Sequence, residues 1–201
     1  MPMANKSNSP LIANLLKTLW VKKKVCIIEG EGTRLGVGND LLSECISINR
    51  IICPSKNAFS KYDIILDTIN KEIQKDTILL IALGMTATVL SYDLTIYGYQ
   101  AIDIGHIDVE YEWMRMGVTE KCNVRGRAIN ELGNNITEHI IDKEYEKVLH
   151  ICKEGPAVLT GKDLNIHNDA ALAVGNLQRG VADFAGLFTE DGAQQPLLGG
   201  Q

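Results

Sequence analysis

The stretch 27-IIEGEGTRLGVGND-40 decides how this chain is read, because an apolar run breaks there into glycines at 30, 32, 36 and 38, with Glu29, Glu31 and Asp40 among them. An aliphatic run ending in glycines marks a strand passing into a loop that turns tightly or lets a ligand approach the backbone. Its G-x-G-x-x-x-G spacing after a strand invites a dinucleotide reading, in which backbone amides meet a pyrophosphate at a helix N-terminus. Two features oppose that reading. The cradle itself carries Glu29 and Glu31, and the next apolar run ends "IICPSKN" (51–57) without an acidic residue for a ribose hydroxyl. The Walker pattern is absent from the sequence, and "LTGKD" (159–163) lacks both its first glycine and its hydroxyl. The plainer alternative is a tight strand-to-helix turn whose glycines only relieve backbone strain, with the glutamates in solvent.

Working outward, "KVCIIE" (24–29), "INRIIC" (48–53), "TILLIAL" (77–83) and "QAIDI" (100–104) are short aliphatic runs with little polar alternation. Such runs suit strands covered on both faces, as in a parallel sheet. Between them lie helical spacings. In 60-SKYDIILDTINKEIQ-74 the positions Tyr62, Ile65, Leu66, Ile69 and Ile73 recur every three or four residues, with Ser60 placed as N-cap. In 86-TATVLSYDLTIYG-98 the stripe is Ala87, Leu90, Leu94 and Tyr97, ending at Gly98 in a C-cap position. "LIANLLKTLW" (11–20) forms another stripe ahead of the first strand.

The expected fold is α/β: a Rossmann-like, mostly parallel sheet with helices on both faces, plus a helical or irregular C-terminal tail. The expected domain covers residues 1–133. Residues 134–201 read as an extension, with helices at "ITEHIIDKEYEKVLHI" (136–151) and "NDAALAVGNLQRGVADFAGLF" (168–188) before a frayed "TEDGAQQPLLGGQ" (189–201).

A net charge of −5 argues against a nucleic-acid partner, since phosphate backbones are held by clustered Lys and Arg. The basic groups "VKKK" (21–24) and "RGR" (125–127) read as solvated charges at the ends of elements. Cys26, Cys45, Cys53, Cys122 and Cys152 never fall in a C-x-x-C pair, so neither a disulfide framework nor a zinc site is indicated. Reduced thiols and a cytoplasmic location are expected. No secretory signal and no transmembrane run of about 20 apolar residues is present in the sequence.

Each strand end carries polar or permissive residues: "CPSKNAF" after the second, "LGMTAT" after the third, and "DIGHIDVEYEW" after the fourth. In open parallel sheets ligands bind outside the carboxyl ends of the strands, so four such ends imply one crevice. Asp108 and Glu110, spaced i, i+2, face one side of an extended segment and could there hold a hard divalent cation. The alternative is a solvated acidic turn with Tyr111 and Trp113 in the core. His106 stands at a strand end, as a site residue or a structural one. His139, His150 and His167 read as structural or exposed.

Taken in order, "VCIIEGEGTRLGVGNDLL", "RIICPSKNAFSKYDIIL", "LLIALGMTATVLSYDL" and "GYQAIDIGHIDVEYEW" resemble the carboxyl-terminal half of the GT-D type glycosyltransferases, over about residues 15–118. The resemblance implies a bacterial enzyme that moves a sugar from a nucleoside diphosphate sugar, typically a UDP-sugar, to a glycan or glycoprotein acceptor, with a divalent metal (Mn or Mg). It implies a donor pocket lined by Glu29, Gly30, Gly32, Arg34, Gly36, Gly38 and Asn39. Asn57, Phe59 and Lys61 would lie near the base or ribose, and Thr86 and Thr88 near the phosphates. Asp108 and Glu110 become candidate metal ligands, and Glu112, His106 and Asp108 candidate catalytic groups, with Glu112 the preferred base. The family's amino-terminal half, which carries an Arg-x-Gly-Asp-Gly-Glu stretch with an acidic D-x-E element, has no counterpart in this sequence. The alternative expectation is thus a non-catalytic nucleotide-sugar-binding module, or a subunit completed by a partner. Apolar surface left by the missing half would favour a homo-oligomer.

Overall fold

The computed structural model describes residues 9–129, 132–133 and 148–152. Five strands, β1 (Lys24–Gly30), β2 (Ser47–Cys53), β3 (Ile78–Ala82), β4 (Gln100–Asp103) and β5 (Val148–Ile151), form one parallel sheet in the order β4-β3-β1-β2-β5. β1 is central, with Ile27 opposite both Arg50 and Leu80, and Glu29 opposite Ile52 and Ala82.

Alternate residues of these strands enter two separate cores. Cys26, Ile28, Ile51, Leu79 and Ile81 pack on one face against Tyr62, Ile65 and Ile69 of α2 (Tyr62–Glu72) and Ala87, Leu90 and Leu94 of α3 (Met85–Ile96). Val25, Ile27, Ile78 and Leu80 pack on the other against Ala13 of α1 (Ser9–Lys17), Tyr111 of α4 (Ile107–Met116) and Leu35, Leu41 and Leu42 of the glycine segment. A strand buried on both faces needs no polar alternation, which is why the runs read as continuously apolar.

Chain direction across the sheet then fixes the crevice. The step from β1 to β2 runs one way and uses the α1/α4 face. The steps from β2 to β3 and from β3 to β4 run the other way and use the α2/α3 face, as right-handed crossovers require. The connections leaving the neighbouring strands β1 and β3 therefore part to opposite faces. That is the switch point at which open α/β sheets take ligands.

Several local expectations are corrected. Ser60 does not cap α2: a 3-10 turn, Ala58–Lys61, leads in, and Lys61 occupies the cap position without a side-chain bond. Tyr97 leaves the α3 stripe and is exposed, because the helix ends at Ile96 and the chain reverses at Gly98 with φ 87°. Residues 148–151, expected to close a helix, are instead strand β5, pairing with the otherwise open edge of β2. A β2 edge without β5 would present a row of unpaired amides and carbonyls. The sheet thus runs beyond the expected boundary at 133. Residues 134–147, and the expected helix and tail after 168, lie outside the described residues. No helix among the described residues is long and apolar enough to cross a membrane.

Candidate functional site

Glu29 and Asp108 are the two acidic residues that the glycine segment folds around. Glu29 follows Val25 and Ile27 on the α1/α4 face and is fully buried. Its Oε1 accepts from Arg50 Nη1 at 2.5 Å, its Oε2 accepts from the Leu35 amide at 2.8 Å, and Arg50 Nη2 donates to the Leu35 carbonyl at 2.8 Å. Burial pushes the Glu29 carboxyl above its ordinary range, while the Arg50 charge and the Leu35 amide pull it back. Glu29, expected to line a donor pocket, is therefore an internal anchor. A charge at 0 % exposure has to be paired and hydrogen-bonded to be tolerated.

Asp108 forms the second anchor. Its Oδ1 accepts from the Gly36 amide and from Asn39 Nδ2, each at 2.8 Å, and its Oδ2 accepts from Arg127 Nε at 2.5 Å. Arg127 Nη2 donates to the Val37 carbonyl at 2.6 Å, and the Ala128 amide to the Gly32 carbonyl at 3.0 Å. Asp108 and Arg127 are each 2 % exposed. The expectation that "RGR" is solvated therefore fails for Arg127.

The D-x-E pair is corrected by the same helix. Residues 107–116 form α4, where positions two apart point about 200° from one another, so Asp108 and Glu110 do not share a face as they would in a strand. With both Asp108 oxygens engaged, these two residues do not fit a divalent cation. Among the described residues no three His, Cys, Asp or Glu side chains gather as metal ligands.

The segment 30–40 is shaped by its glycines at two points in particular. Gly36, at φ 76°, would bring a Cβ to 2.7 Å from Leu42 Cδ1. Gly30, closing β1, would place a Cβ 3.4 Å from Ser55 Cα, so the ends of β1 and β2 touch through backbone. Gly36→Ala is expected to cost about 2 kcal/mol or more, from left-handed backbone strain and overpacking together. Thermal melts should display that loss, and an unchanged midpoint would mean the segment refolds around the methyl.

Of the remaining expected site residues, Asn39 bridges Asp108 and the Leu41 amide and is structural in its contacts. Gly32 and Gly38 turn the segment with positive φ, and Gly38 is exposed. Arg34 and Asn57 hold left-handed backbone at φ 52° and 50°, unusual for side chains that carry a Cβ. Phe59 is half-buried beside Tyr62, ring centroids 5.3 Å apart, and Lys61 is half-buried at the start of α2. Beyond β3, Gly84 and Met85 are exposed, Met85 to 89 %, and Thr86 is buried in the first turn of α3. Thr88 Oγ1 donates to Asp103 Oδ2 at 2.8 Å, linking α3 to the end of β4. His106 is exposed at the residue before α4. Glu112 lies one turn past Asp108, about 6 Å further from the strand ends, and accepts from Arg115 at 3.2 Å.

The structure thus brings Gly30–Gly38, Asn57, Gly84–Thr88 and Gly105–His106 to the carboxyl ends of four adjacent strands. Glu29, Asn39 and Asp108 lie beneath them as supports. Two further clips hold this arrangement: Trp20 Nε1 donates to the Leu41 carbonyl at 2.8 Å, and Asp40 joins Lys17 at 2.6 Å and the Tyr111 hydroxyl at 2.8 Å. Those bonds hold the Asp40 carboxyl down at about 2.

Residues 1–132 match the family model described as the glycosyltransferase GT-D fold. A "Probable glycosyl transferase Gly" of Streptococcus gordonii is 45% identical over 131 residues, 65% of this chain and 18% of the relative. "Glycosyltransferase GlyD" of Streptococcus pneumoniae serotype 4 is 41% identical over 145 residues, 71% of this chain and 16% of the relative. A solved structure described as the highly conserved domain of unknown function 1792, with a distinct glycosyltransferase fold, superposes with a TM-score of 0.69 at 45% identity, covering 73% of this chain and 53% of that one. A new glycosyltransferase of the same domain type from Streptococcus sanguinis gives 0.70 at 39% identity, covering 74% and 56%. The chain spans about half the length of these solved structures and under a fifth of the curated relatives. Matched over most of its length in sequence and in fold, the chain belongs to the GT-D glycosyltransferase family.

Proposed function

We propose that this chain supplies the donor-binding part of a glycosyltransferase, holding a nucleoside diphosphate sugar, a UDP-sugar by preference, for transfer to a hydroxyl of a glycan or glycoprotein. The observation that carries this is the glycine segment, fixed by two buried ion pairs at the switch point of a parallel sheet. Gly30–Gly38 and the Gly84–Thr88 turn face the diphosphate in this reading, with Asn57, Phe59 and Lys61 toward the nucleoside. Arg34 supports it further, because a residue held at φ 52° in a loop is the kind of local strain that functional sites retain. Its guanidinium would neutralise charge building on the departing diphosphate. Donor titration by calorimetry should give saturable binding, weakened about tenfold or more in Arg34→Ala. Absence of binding by the unaltered chain would overturn the proposal.

A proton must leave the acceptor hydroxyl, and His106 and Glu112 are the candidates this chain offers. His106 stands nearer the strand ends. Removing the working base should lower the transfer rate about 10²–10⁴-fold. Equal rates for His106→Ala, Glu112→Gln and the unaltered chain would exclude both. A divalent cation enters the proposal only as a companion of the donor's own diphosphate, and running the assay with and without manganese separates the cases.

A second reading, a nucleotide-sugar-binding module completed by another chain, is favoured by the Asp108 carboxylate being wholly engaged in structure. It predicts donor binding without turnover. Self-association is likewise proposed on the exposed stripe Leu11, Leu15 and Leu19, spaced four apart, and sedimentation velocity tests it.

A further inference from the structure

The far side of the sheet end carries two thiols that no step of the proposed transfer uses. Cys53 is the last residue of β2, and Cys152 follows the last residue of β5. Ile52 and Ile151 are register partners, and the Cys152 amide donates to the Ile52 carbonyl at 2.8 Å, so the ladder continues to the cysteines. Both side chains are buried in the α2/α3 core, at 1 % and 5 % exposure. Positions abreast on neighbouring strands lie about 4.8 Å apart. That falls inside the roughly 4.4–6.8 Å between Cα atoms that a disulfide spans.

We propose that Cys53 and Cys152 are a redox-responsive pair, joined by a reversible disulfide when a peroxide oxidises the protein, which clasps the edge strand β5 to β2.

The two thiols are not equivalent. The Cys152 thiol is held down by its hydrogen bond from Cys53, with burial opposing and the Lys61 charge assisting; the Cys53 thiol is pushed up by the same contact and by burial. With the Lys61 charge beside it, Cys152 is assigned as the first nucleophile, since the thiolate is the reactive form. Its sulfur attacks one peroxide oxygen, the O–O bond breaks, and a sulfenic acid and one water result. The Cys53 sulfur then attacks the sulfenic sulfur, the S–O bond breaks, and the hydroxyl leaves with the Cys53 proton as a second water. Two thiols and one hydrogen peroxide thus give one disulfide and two waters. A dithiol reductant reverses the change by exchange.

Other uses of the pair fit less well. Among the described residues no third His, Cys, Asp or Glu joins them to hold a metal. Cys26 is not a competing partner: Gly30 is the register partner of Cys53, and Cys26 lies four residues back along β1, about 13 Å away. All five cysteines are free in this structure. The bridge would close a loop of about 100 residues, a length at which cross-linking restricts the unfolded chain strongly. It would also fix the end of β2, from which Pro54–Lys61 departs toward the proposed nucleoside position.

The test uses the full chain, reduced, then treated with equimolar hydrogen peroxide, alkylated and mapped by mass spectrometry. The expected product is one linked peptide pair containing Cys53 and Cys152, 2 Da lighter than the reduced pair. A melting temperature roughly 5–10 °C above the reduced chain should accompany it and vanish with dithiothreitol. Cys53→Ser and Cys152→Ser should each abolish both changes, and Cys53→Ala and Cys152→Ala should do the same if serine disturbs the core. Full alkylation of both cysteines after oxidation would overturn the proposal. So would a linked pair involving Cys26, Cys45 or Cys122 in its place, or a bridge that forms without raising the melting temperature.

Discussion

Arg127→Met is expected to destabilise the fold by about 3–5 kcal/mol, the range found when one partner of a buried ion pair is removed. The substitution leaves Asp108 at 2 % exposure with its carboxylate facing the Gly36 amide and Asn39 but no cation. It also removes the bond to the Val37 carbonyl, so the segment 36–39 loses support from both sides. Urea unfolding measures the loss. Hydrogen exchange at the Gly36 amide should quicken in the same variant, even at temperatures where the sheet remains folded. A loss below about 1 kcal/mol with unchanged exchange would mean that Arg127 does not hold the segment.

Arg50→Met is expected to cost a similar amount, about 3–5 kcal/mol at neutral pH, because it strands the fully buried Glu29. Here the pH dependence is diagnostic. Burial raises the Glu29 carboxyl above its ordinary 4.5, and removing Arg50 takes away the main opposing pull, so it rises further. A carboxyl whose folded value lies above its unfolded value favours the fold below the unfolded value, and that contribution is lost as pH rises toward the folded one. The gap between Arg50→Met and the unaltered chain should therefore narrow as pH falls toward about 4.5, and be widest near 7. Adding Glu29→Leu to Arg50→Met should recover most of the loss, since an apolar pair removes the stranded charge. A pH-independent gap, or a double variant worse than Arg50→Met alone, would contradict the pairing.

The strands and helices were legible because burial on both faces leaves a local signature. "TILLIAL" has nothing polar to alternate, and the 62–73 stripe holds its period over three turns. Edge strand β5 was not, since "VLHI" continues the apolar spacing of the residues before it and only the open edge of β2 demands a strand there. The extended D-x-E reading failed for a related reason: two carboxylates at i, i+2 look alike in a strand and a helix, and Gly105–His106 at a strand end suits either. In the site, the order of strand ends and their glycines could be read directly, whereas the roles of the acids could not. Glu29 reads as a pocket wall in the sequence because its partner, Arg50, lies 21 residues away on the neighbouring strand. A signal existed in "INRIIC", where a guanidinium inside a strand apolar on both sides demands a buried anion. Arg127 had none, for "RGR" looks the same whether it faces solvent or reaches back 19 residues to Asp108.

The two glutamates that count against a phosphate cradle in the sequence thus have separate fates. Glu29 turns inward and fixes the cradle from below, and Glu31 is exposed at its rim. With the inward anions neutralised by Arg50 and Arg127, a diphosphate at the strand ends would meet backbone amides, Lys56 and the half-buried Arg34, with Glu31 and Asp103 exposed at the margin. Backbone amide shifts, followed by NMR while a UDP-sugar is titrated into the chain, test this most directly. Saturable shifts are expected, concentrated in Gly30–Gly38, Ser55–Lys61, Gly84–Thr88 and Gly105–His106, with the amino-terminal ends of the strands unmoved. Saturable shifts centred elsewhere, or none at millimolar donor, would contradict it.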